Sequence, residues 1–171
     1  MERKTSPTLS KDQSGLLKFW ISKCQNGHLP LRRDVSPAEL VFCLPSISIV
    51  ERRACGTDVF RLTASSLRDL LGDECRGQLL ENVCGRMLPW YEAINKAIES
   101  NSPVIGQSPI GHLRSHQWMR LPLEPLENGR QPVLCYDRVV TLDRKASVSR
   151  ETMFVTANAF KVDRQLVHST A

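Results

Sequence analysis

The sequence predicts an α+β domain, a five-stranded antiparallel sheet with helices on one face and a further helix ahead of it. Three observations predict it. Residues 46–51 alternate small or polar with β-branched residues, and after a turn at Cys55, Gly56, Thr57 and Asp58 residues 59–63 return as a second strand. Helical spacing follows at once, and then three more β-rich runs close the pattern. Strands, then helices, then strands describe an antiparallel sheet covered by helices on one side.

Residues 1–11 are polar and read as a flexible leader, followed by N-terminal helices and a linker over 12–45. Asp12 or Ser14 is the expected cap of a helix carrying Leu16, Leu17, Trp20 and Ile21 on one stripe, stopped at Asn26-Gly27. Residues 28–35 form an extended link. Ser36-Pro37-Ala38-Glu39 has the form of a capping box with proline at the first helical position, so a short helix is expected to about Cys43.

The domain proper is expected over 46–143. After the first hairpin, Ser65 or Ser66 caps a helix with Leu67, Leu70 and Leu71, halted at Gly72, and a second short helix spans residues 78–83. The longest helix is expected from about Gly85, with Met87, Trp90, Tyr91, Ile94, Ala97 and Ile98 on its core face and Asn101 at its end. Val104-Ile105 starts a third strand, residues 106–116 read as a loose segment, and residues 117–123 form a fourth strand. Glu127-Asn128-Gly129-Arg130 is a hairpin turn into a fifth strand over 132–142. Residues 144–171 have weak pattern and read either as a disordered tail or as a tail with one more strand at residues 153–156.

Composition narrows the function classes. The net charge of +5 is spread over scattered lysines and arginines, which fits mild attraction to acidic partners and no nucleic-acid surface. No apolar run approaches the roughly 20 residues that span a bilayer, and the first residues lack a secretory core, so a cytoplasmic location is expected. The six cysteines form no C-x-x-C pair and read as free thiols.

Several stretches resemble one bacterial PAS-domain family. The family's leading helix with tryptophan is matched by Trp20 and its proline-containing link by Leu29-Pro30. The D/S-P-A-x-L and L-P segments are matched by Ser36-Pro37-Ala38-Glu39-Leu40 and Leu44-Pro45, and the first strand by Ile47 to Glu51. Phe60-Arg61-Leu62, Leu67 to Gly72, Gly77-Gln78-Leu79-Leu80 with Val83, and Glu124-Pro125-Leu126-Glu127-Asn128-Gly129 follow in the family's order. The resemblance covers about residues 16–142 and implies a sensory or regulatory domain that acts through a partner protein. It also implies a place for a small ligand between the sheet and the long helix.

Cofactor chemistry is expected to be absent. Haem needs an axial ligand, and no histidine lies between Gly85 and Asn101; His28, His112, His116 and His168 fall on expected loops, strand edges or the tail. His112 and His116 have metal-like i, i+4 spacing but no third ligand beside them, so surface histidines are expected. In flavin-photosensor relatives the reactive cysteine would align, through Gly77, with Leu80. Cys75, beside Arg76, then reads as a thiol of modestly lowered pKa. No hydrolase, P-loop or dinucleotide motif is present, and the expectation is a protein that is not an enzyme.

The expected ligand-facing residues are Phe60, Leu62, Met87, Trp90, Tyr91, Ile94, Met119, Leu121 and Tyr136, with Tyr91, Arg120 and Tyr136 as the polar groups that a pocket needs. The alternative is a ligand-free interaction module. There the stripe of Leu16, Leu17, Trp20 and Ile21 covers the outer sheet face of its own copy or of a second one. Trp118 is then an exposed anchor and a homodimer the expected assembly.

Overall fold

A computed structural model describes residues 9–85, 89–143 and 152–155, the last four by backbone alone. Met87 and most of the expected tail lie outside the described residues. The element order is α1 (Lys11–Lys23), three 3-10 turns (Arg32–Asp34, Pro37–Leu40, Leu44–Ser46), β1 (Ile47–Arg52), β2 (Asp58–Leu62), α2 (Ser65–Leu71) and α3 (Leu80–Cys84). It continues with α4 (Tyr91–Ser100), β3 (Val104–Ile110), β4 (Arg114–Pro122), β5 (Gln131–Thr141) and β6 (Thr152–Val155). The antiparallel sheet runs β2-β1-β5-β4-β3-β6. The five expected strands are all present, and the one further strand allowed for in the tail adds to the edge, pairing Val104 with Val155.

Local signals explain most boundaries. Ser10, not Asp12 or Ser14, caps α1: its hydroxyl accepts from Gln13 N at 3.2 Å while Gln13 Oε1 accepts from Ser10 N at 3.0 Å. Pro37 does stand at the start of its turn, but Ser36 makes no side-chain capping bond and the turn stays 3-10. Gly72, at φ 84°, closes α2 in the left-handed conformation that glycine adopts without steric cost. α4 begins at Tyr91 rather than near Gly85 and has 10 residues, so the 13-residue α1 is longer.

β3 is a full strand where a loose segment was expected. Pro109, which lacks an N–H, stands opposite Ser115 of β4 and lies beyond residues 104–107, the stretch that β6 pairs. The β-hairpin of β1 and β2 carries a register shift between Ile49 and Val50.

Two cores lie on opposite faces of the sheet. Under α1, Leu16 and Trp20 pack with Ile47, Ile49, Ile105, Met119, Leu121, Leu134 and Tyr136. Trp20 Nε1 donates to Pro122 O at 2.8 Å, which fixes the helix on its own sheet. On the other face, α2, α3 and α4 enclose Val50, Phe60, Leu67, Leu80, Trp90, Ile94, Val133 and Cys135. Trp118 joins Ala93, Ala97 and Val104 there. Burying both faces leaves β4 beyond Arg114, and β5 from Pro132 to Asp137, almost wholly inside.

Candidate functional site

The α4 face of the sheet carries charge at its centre. β4 turns His116, Trp118 and Arg120 toward α4, and β5 meets them with Cys135 and Asp137 in register. Arg120 is fully buried. Its fork grips Asp137, with Nη2 to Oδ1 at 2.8 Å and Nη1 to Oδ2 at 3.2 Å. The remaining donors go to backbone carbonyls: Nη1 to Met119 O (2.8 Å) and Tyr136 O (3.1 Å), and Nε to Pro89 O (3.2 Å). His116 Nε2 lies 2.8 Å from Asp137 Oδ1.

Aromatic rings close around this group. The guanidinium carbon sits 4.5 Å from the Trp90 ring centroid and 5.6 Å from that of Trp118, within cation–π range. Trp90 also meets Phe60 edge-on at 6.2 Å and His116 at 5.9 Å. Trp118 donates Nε1 to Ser108 Oγ at 3.0 Å. A buried guanidinium is tolerable only with such partners, because an unpaired charge in this environment is strongly disfavoured.

Burial pushes the Asp137 carboxyl up, but Arg120 and His116 outweigh it and hold the group below the ordinary carboxylate range. Burial likewise pulls Arg120 down, and Asp137 reverses the shift upward. The pair is therefore a fixed ionic contact that keeps its protons where they are near neutrality. That is the opposite of a general acid or base, which is poised to exchange a proton near the working pH.

Only part of the expected pocket set converges. Phe60, Trp90 and Ile94 do meet on the α4 face. Tyr91 is half-buried and instead borders a surface cavity of about 150 Å³ with Thr57, Asp58 and Leu80. Leu62 is 41% exposed, pointing away from that core. Met119, Leu121 and Tyr136 face α1 on the other side of the sheet. Trp118, expected as an exposed anchor, is fully buried beneath α4. The reason is common to all four: β4, and β5 around Tyr136, are buried on both faces, so their residues give no polar alternation from which to tell the sides apart.

The α1 stripe is placed as one of its two expected positions, on its own sheet, with Leu16 and Trp20 fully buried and Leu17 and Ile21 half-buried against the same cluster. His116 is not a surface histidine; it is 3% exposed inside β4, whereas His112 is exposed in the preceding turn. No metal-binding group of three appears among the described residues.

Sequence reasoning proposed Arg120 but missed its partners His116 and Asp137. The signal was present: a charged residue in the middle of the apolar run 132–140 must find a counter-charge if that run is a central strand.

The cysteines are free. Burial pushes Cys84 and Cys135 up to about 12. Cys75 also moves up, through burial and the nearby Glu74 and Asp73, against the lowering expected from Arg76. These thiols stay protonated and poorly nucleophilic. Among the described residues no helix is long and apolar enough to cross a membrane.

A family model described as PAS domain matches residues 9–124 of the chain. No curated protein and no solved structure matches. The matched stretch takes in α1, the hairpin, the helical layer and the strands through β4, including His116 and Arg120, while Asp137 follows in β5. With more than half of its length matched and the strand and helix order in agreement, the chain belongs to the PAS-domain family.

Proposed function

We propose that the chain is a sensory and regulatory PAS module whose α4-face core is occupied by its own Arg120 side chain, and that it acts by docking on a partner protein. The observation that carries this reading is the guanidinium set between Trp90 and Trp118 and tied to Asp137. It occupies the space between sheet and α4 that the ligand reading reserved for a small molecule. No haem, flavin or catalytic role is needed in this reading.

The partner surface is supported by three exposed apolar side chains on one short stretch, Val41 (69%), Phe42 (49%) and Leu44 (39%). A single exposed leucine is ordinary, but neighbouring apolar side chains of this size mark interaction sites more often. The homodimer expected from Trp118 loses that anchor, and the reading adopted is a module that meets a different protein.

Native mass spectrometry and an absorbance spectrum of freshly purified full-length protein test the proposal. The expected result is the mass of the bare chain, with no Soret or flavin band. A stoichiometric small molecule retained in the native ion would overturn it in favour of the ligand-binding reading.

A further inference from the structure

Phe42 is half exposed and yet seated. A Cβ on Gly15 of α1 would come within 3.0 Å of its Cε2 and 3.2 Å of its Cζ, so the ring lies against the helix where the missing side chain leaves room. Glycine weakens a helix interior relative to alanine, and here it gives the ring a fixed place beside the exposed Val41 and Leu44. An apolar side chain that is already placed loses little freedom when a partner covers it.

A surface cavity of about 350 Å³ opens beside the ring and reaches across to α2 and β5. The charged residues that line it are Asp12, Arg138 and Asp69. Asp12 and Arg138 pair with each other, so Asp69 sets the sign. Asp69 is exposed on α2 and has no hydrogen-bond or ion-pair partner among the described residues. The cavity is therefore net negative on a chain whose net charge is +5. Pro45, Val139 and the Phe42 ring supply its apolar walls.

That combination selects an occupant. An acidic group meets repulsion there, and a purely apolar one strips water from a carboxylate without replacing it. A lysine or arginine side chain satisfies both parts: its methylene stem covers the apolar walls and its cation pairs with Asp69. We propose that this cavity receives a basic side chain of the partner protein, carried next to an apolar residue that packs on Phe42. This deepens the docking reading above, on which it rests, by naming the chemistry of the partner segment.

Random peptides displayed on phage, selected against the full-length folded protein, test the proposal. Selected peptides should place a lysine or arginine beside an apolar residue. A fluorescein-labelled synthetic copy of one such peptide then reports affinity by anisotropy. Phe42→Ser should weaken binding about tenfold and Asp69→Asn about fivefold. Both side chains are exposed, so both variants should melt as the unaltered protein does. In about 1 M salt the Asp69→Asn deficit should vanish, because an exposed ion pair is screened there, while that of Phe42→Ser persists. Gly15→Ala, which unseats the ring without deleting apolar surface, should weaken binding about threefold. Peptides that need Phe42 but carry no basic residue, or that bind Asp69→Asn equally well, would overturn the basic occupant and leave the docking surface standing. A selection that yields no peptide sensitive to Phe42→Ser would overturn both. A dimer of the unaltered chain that Phe42→Ser dissociates would assign the surface to a second copy and overturn the proposal as well.

Discussion

The two faces of the sheet are built from the same strands by different physics. Met119, Leu121, Leu134 and Tyr136 meet α1 in a largely apolar layer. Their neighbours Trp118, Arg120 and Asp137 point the other way, into a core organised around an ion pair. An apolar layer loses stability in proportion to the surface it no longer buries. An ion pair of this kind adds little net stability beyond an apolar substitute, yet it is severely destabilising when one partner is lost. The α4 face should therefore be brittle and the α1 face graded.

Four measurements break or sharpen that contrast. Asp137→Asn leaves Arg120 as an uncompensated buried cation and should cost about 4–5 kcal/mol by denaturant titration. The contribution also has a pH signature. The folded-state pKa of Asp137 is depressed, so the contribution is complete at neutral pH and is lost as pH falls through that depressed value. The stabilities of the unaltered protein and of Asp137→Asn should accordingly converge in acid. A gap that stays constant to the lowest pH at which the protein folds would show that Asp137 acts through packing.

Leu16→Ala on the other face should cost about 2–3 kcal/mol, the graded loss from a partly collapsible site. A loss equal to that of Asp137→Asn would erase the distinction between the faces. Trp20→Phe keeps an aromatic side chain but loses part of the indole together with the donor to Pro122 O, for an expected loss of about 1–2 kcal/mol. The smallest effect belongs to Tyr136→Phe, which removes a buried hydroxyl set beside Ser10 and the half-exposed Arg138. It should lower stability by about 1 kcal/mol or less in the same titration; a larger loss would mean that the hydroxyl helps to fasten α1 to the sheet.

Much of the architecture was legible because local chemistry wrote it. Gly72 and Asn101 both end helices in the left-handed conformation, and the turn around Gly129 joins β4 to β5. The stripe of Leu16 and Trp20 was legible as a buried face. What the sequence could not show was direction. In β4, Trp118, Met119, Arg120 and Leu121 are all buried, and a one-residue error in facing exchanges the two cores completely. The Arg120–Asp137 contact was hidden for a different reason. Its members lie 17 residues apart and meet only through the pairing of two strands.

The position of β5 in the sheet has a consequence for how the chain matures. β5 lies between β1 and β4, so Ile47 pairs with Tyr136 and the sheet's interior is completed by one of its last strands. During synthesis β1 and β2 emerge long before the strand that joins them to β4, and Arg120 emerges before its carboxylate. Contacts so distant along the chain form slowly and leave strand edges open in the meantime. A nascent chain that stops short of Gln131 has two separate hairpins, β1–β2 and β3–β4, helices and an unpaired guanidinium, with no strand to join the hairpins into one sheet. Commitment to the native state then waits on β5, and the interval before it emerges is when the polypeptide is most open to capture by chaperones or by other nascent chains.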